Sequence, residues 1–468
     1  MTPFNNTSSG VARWLILTTL LVLPWLHGGE RYWEQLVAAG GFFIAVIVML
    51  LDKRALVTLP SGTLLILTLF GVWLLHTLIY LIPLPMGVLA WISPATYTWQ
   101  SQDPSQYFGY LSLYRQATLV ELFKFAGLAT LFLLISRLFL TSGRIRWFCA
   151  GVVTIGTLTT VYSLINFATG GAIDWVPAIP PWDFSWHQGI RGTFSYKNQY
   201  AMYMVICILL TAGLLIDNLR RERTTLLTPA IGYFALCLGL QVATLLNTSS
   251  RGALVSLVAG CGFTAFLFFL GRPKLLQQWL KPKFLAAMVV VVTVMIIAFM
   301  QSAVYQRFSE QKMEDNGRTL LRGTVIKVIQ DYPVFGTGPG TYPFIQHQYK
   351  PLELGNTQMS KRAHNDYLET VATQGALGFT LLAIPAGLLL MRLFRRAPAS
   401  SLTGLQLGCQ AASVAYLVQA AIDVNIGVYI LPVHFVIVLS VGWVIGHLLL
   451  TDNAGPGQKL PPDGTKQA

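Results

Sequence analysis

The chain has 468 residues, of which 54% are hydrophobic and only 11% charged. Soluble globular chains carry roughly 25% charged residues, so a soluble enzyme, a disordered chain and a fibrous repeat are excluded and a polytopic membrane protein remains. The 32 Lys and Arg against 19 Asp and Glu give a net charge of +13, an excess that in this class reports topology before it reports nucleic-acid binding.

A membrane-spanning helix needs about 20 apolar residues. Twelve stretches are predicted in chain order: 12–28, 33–51, 62–84, 117–139, 145–167, 198–217, 228–246, 252–270, 284–301, 367–391, 405–424 and 429–450. The first is short and carries Pro24; no small-x-small cleavage site follows it, so it is read as a retained helix. The fourth carries Glu121 and Lys124 near one end. The predicted fold class is therefore all-α polytopic, with one transmembrane domain over 1–451 and a disordered cytoplasmic tail over 452–468. Twelve spans put both termini on one side. Basic short loops such as Lys53-Arg54, Arg220-Arg221 and Arg395-Arg396 make that side cytoplasmic. The cysteines Cys149, Cys207, Cys237, Cys261 and Cys409 lie in apolar stretches without zinc spacing and read as small core residues.

Three long connections fall on the opposite, outer side: 85–116, 168–197 and 302–366. The last is the only one that looks large enough for structure of its own, and loops of that length are usually functional. Within it, Leu321, Val325, Val328 and Ile329 recur at helical spacing, predicting an amphipathic helix over 318–330 that Pro333 ends. Gly336-Thr337-Gly338-Pro339-Gly340 fits neither a P-loop nor a dinucleotide fingerprint, and no strand precedes it. It reads as a turn that folds the loop back onto the membrane.

On the outer side lie Arg191, Lys197, Arg251, Arg318, Arg322, Lys361, Arg362 and His364. Topology accounts for the inner charges but not for these, and an outward basic cluster needs an anionic partner. A phosphate-bearing lipid fits, because arginine grips phosphate oxygens bidentately. The plainer reading is solvated loop charges or side chains snorkelling to headgroups, which suits Lys197, Lys361 and Arg362 better. Arg251 is alternatively an anchor paired with Glu121 or Asp423. His364 opens His364-Asn365-Asp366-Tyr367-Leu368-Glu369, which runs into the tenth span. A helix N-terminus and nearby arginines disfavour imidazolium, and a general base must be neutral. Its alternatives are a routine interfacial histidine, or a metal site with Asp366 and Glu369. His364 and Asp366 diverge on a helix and no Cys or second His completes a zinc set, so no metal is expected. The remaining histidines have no comparable setting.

Taken together, several segments resemble the O-antigen ligase/polymerase superfamily: Arg191-Gly192-Thr193-Phe194 with Asn198, Ser250-Arg251-Gly252, Gly317-Arg318, the Gly336–Gly340 turn, and His364-Asn365-Asp366-Tyr367-Leu368 with Gly375-Ala376-Leu377-Gly378. The set covers roughly residues 150–390. The His-x10-Gly-x-x-Gly spacing from His364 to Gly378 is similar to the ligase pattern, whereas Phe379-Thr380 stand where some ligases have Thr-Ser. The resemblance implies a bacterial inner-membrane glycosyltransferase with a periplasmic site and a glycan donor on undecaprenyl pyrophosphate. It implies no cofactor, metal or ATP. It also implies that Arg191 and Arg318 hold the pyrophosphate and that His364 takes the proton from the acceptor hydroxyl in an inverting displacement. Arg322 and Arg251 complete the candidate anion set, with Asn198, Asn365 and Asp366 in support.

Three acceptors stay open. Ligation to lipid A-core comes first on the His-to-Gly spacing. Polymerisation of O-antigen or exopolysaccharide repeats comes next, and transfer to protein Ser/Thr last. The competing class is a transporter of lipid-linked glycan or solute, for which internal repeats and midplane sites are the usual marks. No nucleic-acid partner is expected.

Overall fold

The computed structural model describes residues 7–52, 59–103, 105–179, 189–221, 228–270, 272, 316–352, 361–395 and 400–453. The predicted span 284–301, the tail from 454 and the side chain of Arg318 lie outside the described residues.

From the N-terminus, α1 (Thr7–Val22), α2 (Tyr32–Leu50) and α3 (Thr63–Ile79) lead into a small substructure. There β1 (Leu84–Pro85) pairs antiparallel with β2 (Phe108–Gly109), and α4 (Met86–Ile92) and α5 (Pro94–Gln100) lie between them in the chain. The 85–116 connection thus has structure of its own, which corrects the expectation that only 302–366 would. Next come α6 (Arg115–Leu138), α7 (Ser142–Ala168), α8 (Lys197–Arg221), α9 (Pro229–Asn247) and α10 (Arg251–Leu270). The long loop contributes α11 (Asn316–Asp331) and α12 (Tyr342–Tyr349), and the chain closes with α13 (Asp366–Leu393), α14 (Thr403–Ile422) and α15 (Ile430–Asn453). Among the described residues ten helices are long and apolar enough to cross a membrane, and Thr63–Ile79 is a shorter apolar one. The fold is an all-α polytopic membrane protein.

The centre of the bundle is α8, whose residues from Tyr200 to Leu210 are all buried. It meets α14 at backbone range, because Gly404 and Gly408 present no side chain. A Cβ on Gly404 would press on the Gly213 carbonyl, and one on Gly408 on the Leu209 carbonyl. Small residues four apart are the means by which membrane helices approach this closely without a hydrophobic driving force. Asp217 of α8 then accepts the amides of Gly404 (2.6 Å) and Leu405 (3.0 Å), capping α14. Of the cysteines, four are buried as expected; Cys261 is exposed on α10.

The predicted amphipathic helix is α11. Leu321, Val325 and Val328 are buried, and Val325 and Val328 join Tyr332, Tyr342, Ile345, Ala363 and Ala372 in a small cluster that ties the long loop to α13. The glycine turn after α11 does more than reverse the chain. Helix α13 is broken at Gly375 (φ 65°, ψ −179°). The orphaned carbonyls of Ala372 and Thr373 accept the amides of Thr337 (3.2 Å) and Gly338 (2.8 Å). The freed amides of Ala376 and Leu377 donate to Pro333 (2.9 Å) and Val334 (3.2 Å). The turn therefore completes the backbone hydrogen bonding of a span that cannot complete its own, as a membrane interior requires.

Candidate active site

His364 lies two residues before α13, in the left-handed backbone region (φ 52°), which a non-glycine residue adopts only when its surroundings impose it. They do so on its C-terminal side. Asn365 caps α13 through the Leu368 amide (3.0 Å), and its own amide donates to the Ala421 carbonyl (2.9 Å) at the end of α14. The buried Asp366 carboxylate accepts the amides of Asn425 (2.8 Å) and Ile426 (3.2 Å). The connection from α14 to α15 is thereby fixed against the start of α13.

That connection begins with Asp423, and it is Asp423 that holds the histidine. His364 Nδ1 is 2.9 Å from Asp423 Oδ1. The other carboxylate oxygen accepts the Asn198 side-chain amide at 2.7 Å, and the same amide nitrogen lies 2.9 Å from the Tyr196 hydroxyl. Asp423 is only 2% exposed. With Nδ1 taken by a buried carboxylate, the imidazole is oriented and Nε2 is the nitrogen left for a substrate proton. Sequence reasoning named Asp423 only as an alternative partner of Arg251. Its signal was an acidic residue inside an otherwise apolar stretch, which in a membrane protein is a functional marker.

The other predicted residues fall into three groups. Asn198 joins His364 through Asp423, while Asn365 and Asp366 fix the backbone that follows it. Arg191 is buried on the stretch before α8, donating to Asp174 (2.6 Å) and to the carbonyls of Phe194 (2.8 Å) and Val176 (3.0 Å). Arg251 is half-buried as the first residue of α10, and Arg322 is exposed on α11. Two of the residues read as solvated are not. Lys197 is buried, and Arg362 pairs with Glu369 at 2.8 Å while the second Glu369 oxygen takes the Ala363 amide. Nearby, Lys124 is fully buried and pairs with Glu121 at 2.5 Å. Burial pushes the Arg362 guanidinium down, but Glu369 and Glu121 outweigh it and hold the group above its ordinary value. Of the three residues weighed for a metal, His364 is turned to Asp423, Asp366 to two backbone amides, and Glu369 to Arg362 and the Ala363 amide. His27 also has a setting that sequence reasoning missed. It bridges the buried Glu34 (2.9 Å) and the Pro177 carbonyl (3.1 Å).

Beside this assembly is a cavity of about 540 Å³, within the size range of small-molecule sites. Its walls are the start of α2, residues of α12, Lys361-Arg362, Gly427-Val428, and Ile179 and Gln199. Three of these adjoin the polar assembly in sequence: 361–362 precede His364, 199 follows Asn198, and 427–428 follow Asp423. Ile179 sits on the stretch that Arg191 and His27 pin.

Residues 234–383 match the family described as O-Antigen ligase. The match takes in Arg251, Arg322, His364 and the glycine break, and ends before Asp423. It agrees with the resemblance read from the motifs and supports a membrane glycosyltransferase of the ligase/polymerase type. No curated protein matches the chain.

Proposed function

We propose that the protein transfers a glycan from undecaprenyl pyrophosphate to an acceptor hydroxyl at the periplasmic face of the bacterial inner membrane. The carrying observation is the Asn198–Asp423–His364 chain of hydrogen bonds beside the cavity. Asp423 keeps the Nδ1 proton in place, and His364 Nε2 accepts the proton of the acceptor hydroxyl as its oxygen attacks the anomeric carbon. The bond from that carbon to the pyrophosphate oxygen breaks, the electron pair leaves with the pyrophosphate, and the configuration inverts. Arg318, Arg322, Arg251 and Arg191 are the candidates to neutralise the leaving group, which stabilises the transition state electrostatically. At Arg191 the pyrophosphate takes the position that Asp174 now occupies. The leaving group drives transfer without metal, ATP or cofactor. Lipid A-core is the acceptor we favour on the His-to-Gly spacing, ahead of a growing polysaccharide chain.

The test is a purified-protein assay with lipid-linked glycan and alternative acceptors. His364→Ala should lose about 10²–10⁴-fold in transfer while still binding donor and keeping its melting temperature. Normal turnover in this variant, or misfolding as its sole defect, would overturn the catalytic assignment.

A further inference from the structure

The 85–116 substructure has two sides of different character. Inward, Tyr80, Leu89 and Leu111 are buried together with Phe335 of the long loop packed against them, and the Tyr80 hydroxyl donates to the Phe335 carbonyl (2.5 Å). Outward, Trp91 is 84% and Tyr107 79% exposed, and Ile82, Val88, Trp99 and Phe108 are exposed as well. Asp103 is the sole charged residue from Ile82 to Tyr114. Exposed apolar side chains gathered this way, with almost no charge among them, mark a surface that something else covers.

The neighbouring elements identify the cover. Helix α3 has 17 residues. At 1.5 Å per residue it reaches about 25 Å, short of the roughly 30 Å hydrocarbon core of a bilayer. Its last turns expose Leu75, Leu78 and Ile79, a surface that faces lipid in a polytopic membrane protein. The apolar chain runs on through Ile82 into α4, where the exposed Val88 and Trp91 are one turn apart. The register of the ribbon pairs Pro85, next to α4, with Phe108. Tryptophan and tyrosine are the side chains that settle at headgroup level, with the ring in the apolar layer and the polar atom at the water. The polar stretch of Asp103, Ser105 and Gln106 between α5 and β2 is exposed too, and it belongs in water. We infer that α4 and the β1–β2 ribbon lie in the membrane interface, seating Val88, Trp91, Tyr107 and Phe108 among the headgroups and upper acyl chains of the leaflet at the His364 end. Lipid, and not a protein partner, covers this face. The seat fixes the depth of that end of the bundle, because the Leu113 amide donates to the Thr337 carbonyl (2.9 Å) in the turn that completes α13.

Spin labels on single cysteines test the seat in the full-length protein. The protein is placed in nanodiscs of phosphatidylethanolamine and phosphatidylglycerol, in a background with Cys261 replaced by serine. Gly87 of α4 is exposed, one turn before Trp91, with nothing within 4 Å of its Cβ position, and Gly71 of α3 is equally open. Oxygen concentrates in the bilayer and a water-soluble nickel chelate is excluded from it. The ratio of oxygen to nickel collisions should therefore be highest for Gly71→Cys, intermediate for Gly87→Cys and lowest for Ser105→Cys. The intermediate value should correspond to a depth of roughly 5–10 Å in the headgroup–acyl boundary. Adding Trp91→Asp should move the 87 label toward the nickel reagent and leave the 105 label where it was. An 87 label as open to nickel as the 105 label would overturn the proposal and leave this face for a protein partner. Shielding of the 87 label from both reagents, with spin–spin coupling between molecules, would overturn it in favour of a second copy of the chain.

Discussion

Asp423 joins three separate parts of the chain through one carboxylate, and its substitution separates a proton path from a mere tie. Asparagine has the same shape and keeps an oxygen for the Asn198 amide. The group it then turns to His364 is an NH₂, which bonds only to an unprotonated Nδ1. The imidazole proton moves to Nε2, and the nitrogen facing the substrate stops being a base. Asp423→Asn should therefore cut transfer by about 10²–10⁴-fold with donor affinity and folding retained. Turnover near wild type would remove Asp423 from the mechanism. His364 was legible in the sequence because its local features, a helix start and a run of polar residues, all lie within a few positions. Asp423 was not, because it lies 59 residues from His364 and 225 from Asn198, and no spacing rule spans such distances. The same limit explains Lys197 and Arg362. A charge pattern does not distinguish a solvated cation from a buried one when its environment comes from elsewhere in the chain.

The helices themselves were legible for the opposite reason. Length and apolarity are local properties, and each predicted span within the described residues has its helix, with ends shifted by a few residues. The break in α13 was not legible, because glycine is frequent in membrane helices and Gly375 is one of three in that helix. The structure separates them. Gly375 has positive φ, and a Cβ there would overlap the Val334 carbonyl; Gly387 has nothing within 4 Å of its Cβ position. Gly375→Ala should lower the melting temperature markedly. The backbone strain alone costs roughly 1–3 kcal/mol, and the overlap forces the 333–338 turn off the helix. Gly387→Ala in the same helix should be neutral or stabilising by up to about 1 kcal/mol. Similar melting temperatures for the two variants would mean that the turn and the break are not mutually dependent. The turn's residues also lie against the Glu121 side chain and Ser112, so its displacement should depress transfer even in the protein that stays folded.

At the scale of the whole molecule the two ends of the bundle have different chemistry. One end gathers the His364 assembly, the cavity, the 85–116 substructure and the α11–α12 segment, linked by bonds such as Leu113 to Thr337 (2.9 Å). The other gathers the short basic connections. There Arg146 donates to the Ser401 carbonyl (2.7 Å), Arg392 to the Ser61 carbonyl (3.0 Å), and Asp217 caps α14. Arginine and lysine in short loops are retained on the cytoplasmic side during insertion, so the arginine-rich end should face the cytoplasm and the His364 end the periplasm. Single cysteines test this directly. Ser105 is exposed at the first end, and Gly143 is exposed at the second with nothing within 4 Å of its Cβ position. In a background with the exposed Cys261 replaced by serine, Ser105→Cys should react with a membrane-impermeant maleimide in intact spheroplasts. Gly143→Cys should react only after the membrane is permeabilised. The reverse pattern would place the site in the cytoplasm. There the basic loops would no longer account for the orientation, and an acceptor would have to be cytoplasmic.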